Sequence, residues 1–179
     1  IGFFYLVYLY FHMTAPKTGP KFDDSNSDGY LLRLVWNPSL CKVKGYVRNC
    51  SHPISAKWTI NGLWSQPVLS KICRNPDQFE PAKLEELIND LIHYWPNLFP
   101  VLPNFVDFWR DEWSNYGRCA PHRFTVKEYF SKAIELYRKF PVGDWICDSS
   151  VLCDHAFDNY SMEMVKEALE RHISPANYV

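Results

Sequence analysis

Two tryptophan-bracketed segments constrain this chain more than any other feature. They are Trp58-Thr59-Ile60-Asn61-Gly62-Leu63-Trp64 and Phe108-Trp109-Arg110-Asp111-Glu112-Trp113-Ser114-Asn115-Tyr116-Gly117-Arg118-Cys119. The first opens as a strand, with Trp58 and Ile60 on one face and Thr59 and Asn61 on the other. Such a strand anchors a core with one side and presents a polar side chain with the other. The second falls in a helix expected over 104–116, with Asn104 placed to cap its start and Gly117 its end. Asp111 and Asn115 are four apart, as are Glu112 and Tyr116, so the four side chains are expected on one helical side.

The flanking sequence supplies further elements of both kinds. Tyr30-Leu31-Leu32-Arg33-Leu34-Val35-Trp36 reads as a strand. Leu84, Leu87, Ile88, Leu91, Ile92 and Trp95 recur at helical spacing, with Pro81 suitably early and Pro96 at the end. Thr125-Val126-Lys127-Glu128 has the form of a capping box opening another helix through Tyr129, Phe130, Ala133, Ile134 and Tyr137. Ser161 is placed to cap a last helix through Arg171. Strands and helices interleave without a regular βαβ period, which predicts an α+β fold. Residues 1–29 form an N-terminal apolar segment and loop, and 30–179 the domain proper. Ile1 to Phe11 is apolar but too short to span a bilayer. It suits either the remnant of a signal-peptide core or an extra strand.

At 179 residues the chain is long enough for one domain with a substantial core. A net charge of −1 gives no global attraction to a polyanion, so nucleic-acid binding would need a local basic face. Six cysteines suit a disulfide framework, for which sequence alone leaves 15 pairings. No Cys-x-x-Cys occurs and the histidines are scattered, so neither a zinc cluster nor a cofactor is expected. Asn49-Cys50-Ser51 and Asn159-Tyr160-Ser161 fit the glycosylation pattern and agree with secretion.

The two segments resemble the active-site motifs of the ribonuclease T2 family, F-T-I-H-G-L-W and F-W-x-H-E-W-x-K-H-G-T-C. Asn61 stands where the first motif carries its His. Asp111, Asn115 and Tyr116 stand where the second carries His, Lys and His, and Glu112 is retained. Asn37-Pro38-Ser39-Leu40-Cys41 is similar to the family's W-P-x-x-x-C, with Asn37 splitting the Trp-Pro pair. The resemblance covers roughly residues 30 to 140, with an insertion near 141–161. It implies a central, mainly antiparallel sheet packed against several helices and stabilised by disulfides. It pairs Cys41 with Cys50 and Cys73 with Cys119, and leaves Cys147 and Cys153 for a local pair.

Enzymes of this family cleave RNA by attack of the 2′-hydroxyl on phosphorus, giving a cyclic phosphate. That step needs a base, an acid and positive charge on the phosphoryl oxygens. An amide at Asn61 cannot relay a proton, and a phenol at Tyr116 titrates near 10. Asn115 removes an ammonium, and Asp111 adds a carboxylate that would repel phosphate beside Glu112. Each positioned acid or base is worth roughly 10²–10⁴ in rate. The resemblance therefore implies a secreted, catalytically inactive member acting as a binding, structural or storage protein. The alternative is an acid endoribonuclease with a non-standard catalytic set, in which His122, His52, Arg110 or Arg118 compensates. Trp64 is a possible base-stacking surface. Protein partners are expected through the N-terminal aromatic segment or the 141–161 insertion, and no membrane span is read.

Overall fold

The computed structural model describes residues 6–12, 29–38, 57–66, 75–98, 104–120, 124–148 and 162–173. Three antiparallel strands, β1 (Leu6–His12), β2 (Gly29–Trp36) and β3 (Trp58–Gln66), form a sheet in the order β1-β2-β3. The aromatic N-terminal run thus has its backbone in the sheet, with Leu6 opposite Val35 and His12 opposite Gly29.

The β2–β3 pairing is interrupted by a bulge: Arg33 faces Gly62, Leu34 faces Ile60, and Asn61 has no opposite residue. One extra residue shifts the alternation of everything after it. Trp58, Ile60 and Leu63 consequently share a face with Tyr30, Leu32 and Leu34, and all six are buried. Trp64 falls instead on the face of Leu31 and Arg33. The simple alternation expected of this strand therefore holds only through Ile60. Asn37, expected as a departure that splits the Trp-Pro pair, is buried and accepts a 2.7 Å hydrogen bond from the Thr59 hydroxyl.

The helix anticipated from Pro81 to Trp95 begins as a 3-10 helix, Pro81–Leu87, and continues as α1, Ile88–Tyr94. Three residues per turn in the first half rotate the apolar stripe. Leu84, Leu91 and Trp95 are buried, whereas Ile88 and Ile92 face outward. Helix α2 (Phe105–Glu112) starts at Asn104, whose side chain accepts from the Asp107 N–H at 2.8 Å. It passes into a π turn, Trp113–Gly117.

Helix α3 (Val126–Lys139) opens with the expected Thr125–Glu128 capping box. It buries Tyr129, Phe130, Ala133 and Ile134. Two of its tyrosines tie it to β3: Tyr129 donates to the Leu63 carbonyl and Tyr137 to the Trp58 carbonyl, both at 2.8 Å. Helices α4 (Val142–Asp148) and α5 (Met162–Glu170) pack on each other. Val142 and Ile146, in the described part of the segment expected as a binding insertion, are core residues. Among the described residues no helix is long and apolar enough to cross a membrane.

Candidate functional site

The bulge and the π turn decide where the motif side chains go. A strand bulge re-aims a side chain, and a π turn displaces every residue beyond it relative to an α-helix. At the π turn the Arg118 N–H bonds to the Trp113 carbonyl at 2.8 Å, five residues back. The four polar side chains expected together on one helical side are separated: Asp111 and Asn115 are exposed, while Glu112 and Tyr116 turn inward. Asn61, on the bulge, is partly exposed.

Trp64, Tyr116, Arg33, Gly62 and Glu112 make up the inner cluster. The Tyr116 ring stacks on Trp64, with centroids 5.1 Å apart and planes 25° from parallel. The Arg33 guanidinium lies over the Trp64 ring at 5.0 Å from its centroid. Gly62 is required by this arrangement, since a Cβ there would lie 2.6 Å from Trp64 Nε1 and 3.3 Å from Glu112 Oε2. Glu112 Oε2 is buried without a hydrogen-bond partner. Burial first, and the neighbouring Asp111 carboxylate second, push the Glu112 carboxyl up to about 8, against an opposing pull from Arg33. Glu112 is thus a neutral acid at neutral pH. Burial and the Glu112 carboxyl raise the Tyr116 phenol above its ordinary value, which leaves it a still poorer proton donor.

The scaffold of the second motif is held from behind. Trp109 Nε1 donates to the Trp95 carbonyl at 3.1 Å, and Trp113 Nε1 to the Asp77 carbonyl at 3.3 Å. Arg118 Nε donates to the Asn75 carbonyl at 2.9 Å, and Asn75 Nδ2 to the Phe124 carbonyl at 2.6 Å. Asp77 accepts from the Val126 N–H at 2.7 Å, joining the segment before the 3-10 helix to the start of α3. Arg118 is thereby tied to the segment before the 3-10 helix. Arg110 pairs with Asp107 and lies over Phe79. Gly117 does not end the helix through a left-handed conformation. It leaves space for the rings of Trp113 and Tyr129, whose Cζ3 and Cδ1 would meet its Cβ at 2.9 and 3.0 Å.

Of the histidines, His93 packs edge-on against Tyr94 and His172 stacks on Trp145, contacts that lie outside both motifs. His52, His122 and His155 lie outside the described residues, as do Asn49, Asn159, Ser161, Cys41, Cys50, Cys73 and Cys153. Cys119 and Cys147 are disulfide-bonded. No group of three or more His, Cys, Asp or Glu among the described residues could hold a metal ion. Arg33 is the residue that motif reasoning missed. Its signal was a lone charge in the middle of the apolar run Leu31-Leu32-Arg33-Leu34-Val35.

A bulged antiparallel sheet, an aromatic helix crossing beside it and a site at their junction define an α+β fold of the ribonuclease T2 kind. Residues 27–179 match the Ribonuclease T2 family, and the chain belongs to it. The chain is 31% identical to ribonuclease T2 of Sus scrofa over 138 residues, covering 75% of this chain and 64% of that protein. It spans 52–64% of the length of the mammalian ribonuclease T2 relatives it matches. Ribonuclease MC1 from bitter gourd seeds shares the fold, with a TM-score of 0.65 and 24% identity over 80% of this chain and 74% of that one. RNase NT, solved with 5′-AMP, shares it with a TM-score of 0.62 and 20% identity over 94% and 72%.

Proposed function

We propose that this chain is a catalytically inactive member of its family, a pseudoenzyme of the secretory route that serves as a binding, structural or storage protein. The observation that supports this reading is the chemistry of the altered positions. Asn61, Asp111, Asn115 and Tyr116 supply neither an imidazole nor an ammonium, and the retained Glu112 is buried as a neutral acid. In-line cleavage then has no proton carrier at Asn61 or Tyr116 and no cation at Asn115. The pairs Cys41–Cys50, Cys73–Cys119 and Cys147–Cys153, with glycans at Asn49 and Asn159, complete the reading of a secreted protein. Its partners are proteins, met through the N-terminal aromatic segment or the segment 141–161.

One observation favours the second reading, an endoribonuclease with a non-standard catalytic set. Glu112 titrates at about 8, near the working range of a general acid or base, with the Arg33 charge acting on it. Incubating the purified protein with RNA across acid and neutral pH separates the two. Inactivity predicts no 2′,3′-cyclic phosphate ends above a buffer control. Turnover that disappears in Glu112→Gln would replace the first reading with the second.

A further inference from the structure

We propose that Tyr116 is a built-in occupant of the Trp64 stacking face, so that the site is closed by its own side chain to planar heteroaromatic ligands. The inference rests on the reading above, in which position 116 carries no proton for catalysis.

Trp64 and Tyr116 differ from the motif's other aromatic residues. Trp109 and Trp113 are buried, with their indole N–H groups on backbone carbonyls. Trp64 and Tyr116 are each only partly buried. Their 5.1 Å, 25° geometry is that of an offset stack, the arrangement a nucleobase adopts on an indole. Gly62 clears the space in which the indole lies, and Arg33 sits over the same ring at 5.0 Å. A flat, electron-poor ring entering here would meet an aromatic face, a guanidinium and the buried Glu112 Oε2. It cannot take that face while Tyr116 holds it. The π turn that carries Tyr116 spends one residue more than an α turn, a local irregularity frequent at functional sites.

Calorimetric titration with adenosine and with 5′-AMP tests this. The wild type is expected to show no saturable binding up to about 1 mM, an affinity floor set by weak contacts alone. Tyr116→Ala, with an unchanged far-UV spectrum, should bind at least roughly tenfold tighter, as expected for one freed stacking face. Tyr116→Phe should stay closed, and the double variant Trp64→Ala/Tyr116→Ala should lose what Tyr116→Ala gained. Equal affinity in wild type and Tyr116→Ala, no binding by a folded Tyr116→Ala, or binding kept in the double variant would overturn the proposal. If Tyr116→Ala does not fold, the wild type decides alone. A Trp64 indole N–H resonance unmoved by adenosine supports occlusion, and one that shifts saturably overturns it. RNA cleavage by the wild type would instead strike the functional reading and leave the comparison between wild type and Tyr116→Ala standing.

Discussion

Trp113 and Trp64 each lie against a glycine two or four residues away, yet one belongs to the core and the other to the site. Trp113 is buried, edge-on to Tyr129 at 5.7 Å, and its N–H is bonded to the Asp77 carbonyl. The glycine beneath it, Gly117, is buried between that ring and Tyr129. Trp64 projects from the opposite sheet face, partly exposed, against Tyr116 and Arg33. The same pairing of glycine and indole thus serves rigidity in one place and a partly exposed aromatic stack in the other. What separates them is the bulge at Asn61, which sends Leu63 into the core and Trp64 out of it.

The contrast breaks most readily at Trp113. Replacing it with Ala should destabilise the fold by about 3–5 kcal/mol, the cost of removing a buried tryptophan. Urea unfolding would measure this, and a loss under about 1 kcal/mol would deny Trp113 its core role. Glu112→Gln comes next and acts in the opposite direction. The folded carboxyl holds its proton to about pH 8, while the unfolded one releases it near the ordinary 4.5. Wild-type stability from this group is therefore fully present below 4.5 and is lost as pH rises to 8. The glutamine variant escapes that loss, and should gain on the order of a few kcal/mol over wild type at pH 8 but little at pH 4. Melting curves at the two pH values would show it, and an equal gain at both would contradict the buried, neutral carboxyl.

Gly117→Ala should cost about 1–3 kcal/mol, because Trp113 and Tyr129 are both packed and have nowhere to move. Gly62→Ala should cost less, below about 1 kcal/mol, since the partly exposed Trp64 ring can swing aside. It should nevertheless undo the Trp64–Tyr116 stack, seen as loss of the ring-current shifts of Tyr116 by NMR. If the two glycine variants are equally destabilised, the distinction between core and site tryptophans fails.

Much of the frame was legible because it rests on local rules. The Asn104 cap and the Thr125–Glu128 box follow from side chains three residues from their partners, and both form as expected. The strand through Tyr30–Trp36 follows from its apolar run, and it forms. What sequence patterns missed are departures from period. The 3-10 start at Pro81 turned Ile88 and Ile92 outward, which a fixed helical spacing cannot anticipate. Asp111 and Asn115 face out while Glu112 and Tyr116 face in, a split that follows from neighbouring helix residues lying about 100° apart and that grouping all four on one side overlooked. Arg33 reaches the site only through strand pairing with Gly62, a contact between residues far apart in the chain.

The claim at the centre is that Asn61 and Tyr116 leave the site without proton transfer. The most direct measurement is phosphorus NMR of a dinucleoside phosphate with the protein in excess, followed from pH 4 to pH 8. The account predicts no 2′,3′-cyclic phosphate beyond the buffer rate at any pH. Accumulating cyclic phosphate with a bell-shaped pH dependence, abolished by Glu112→Gln, would contradict it.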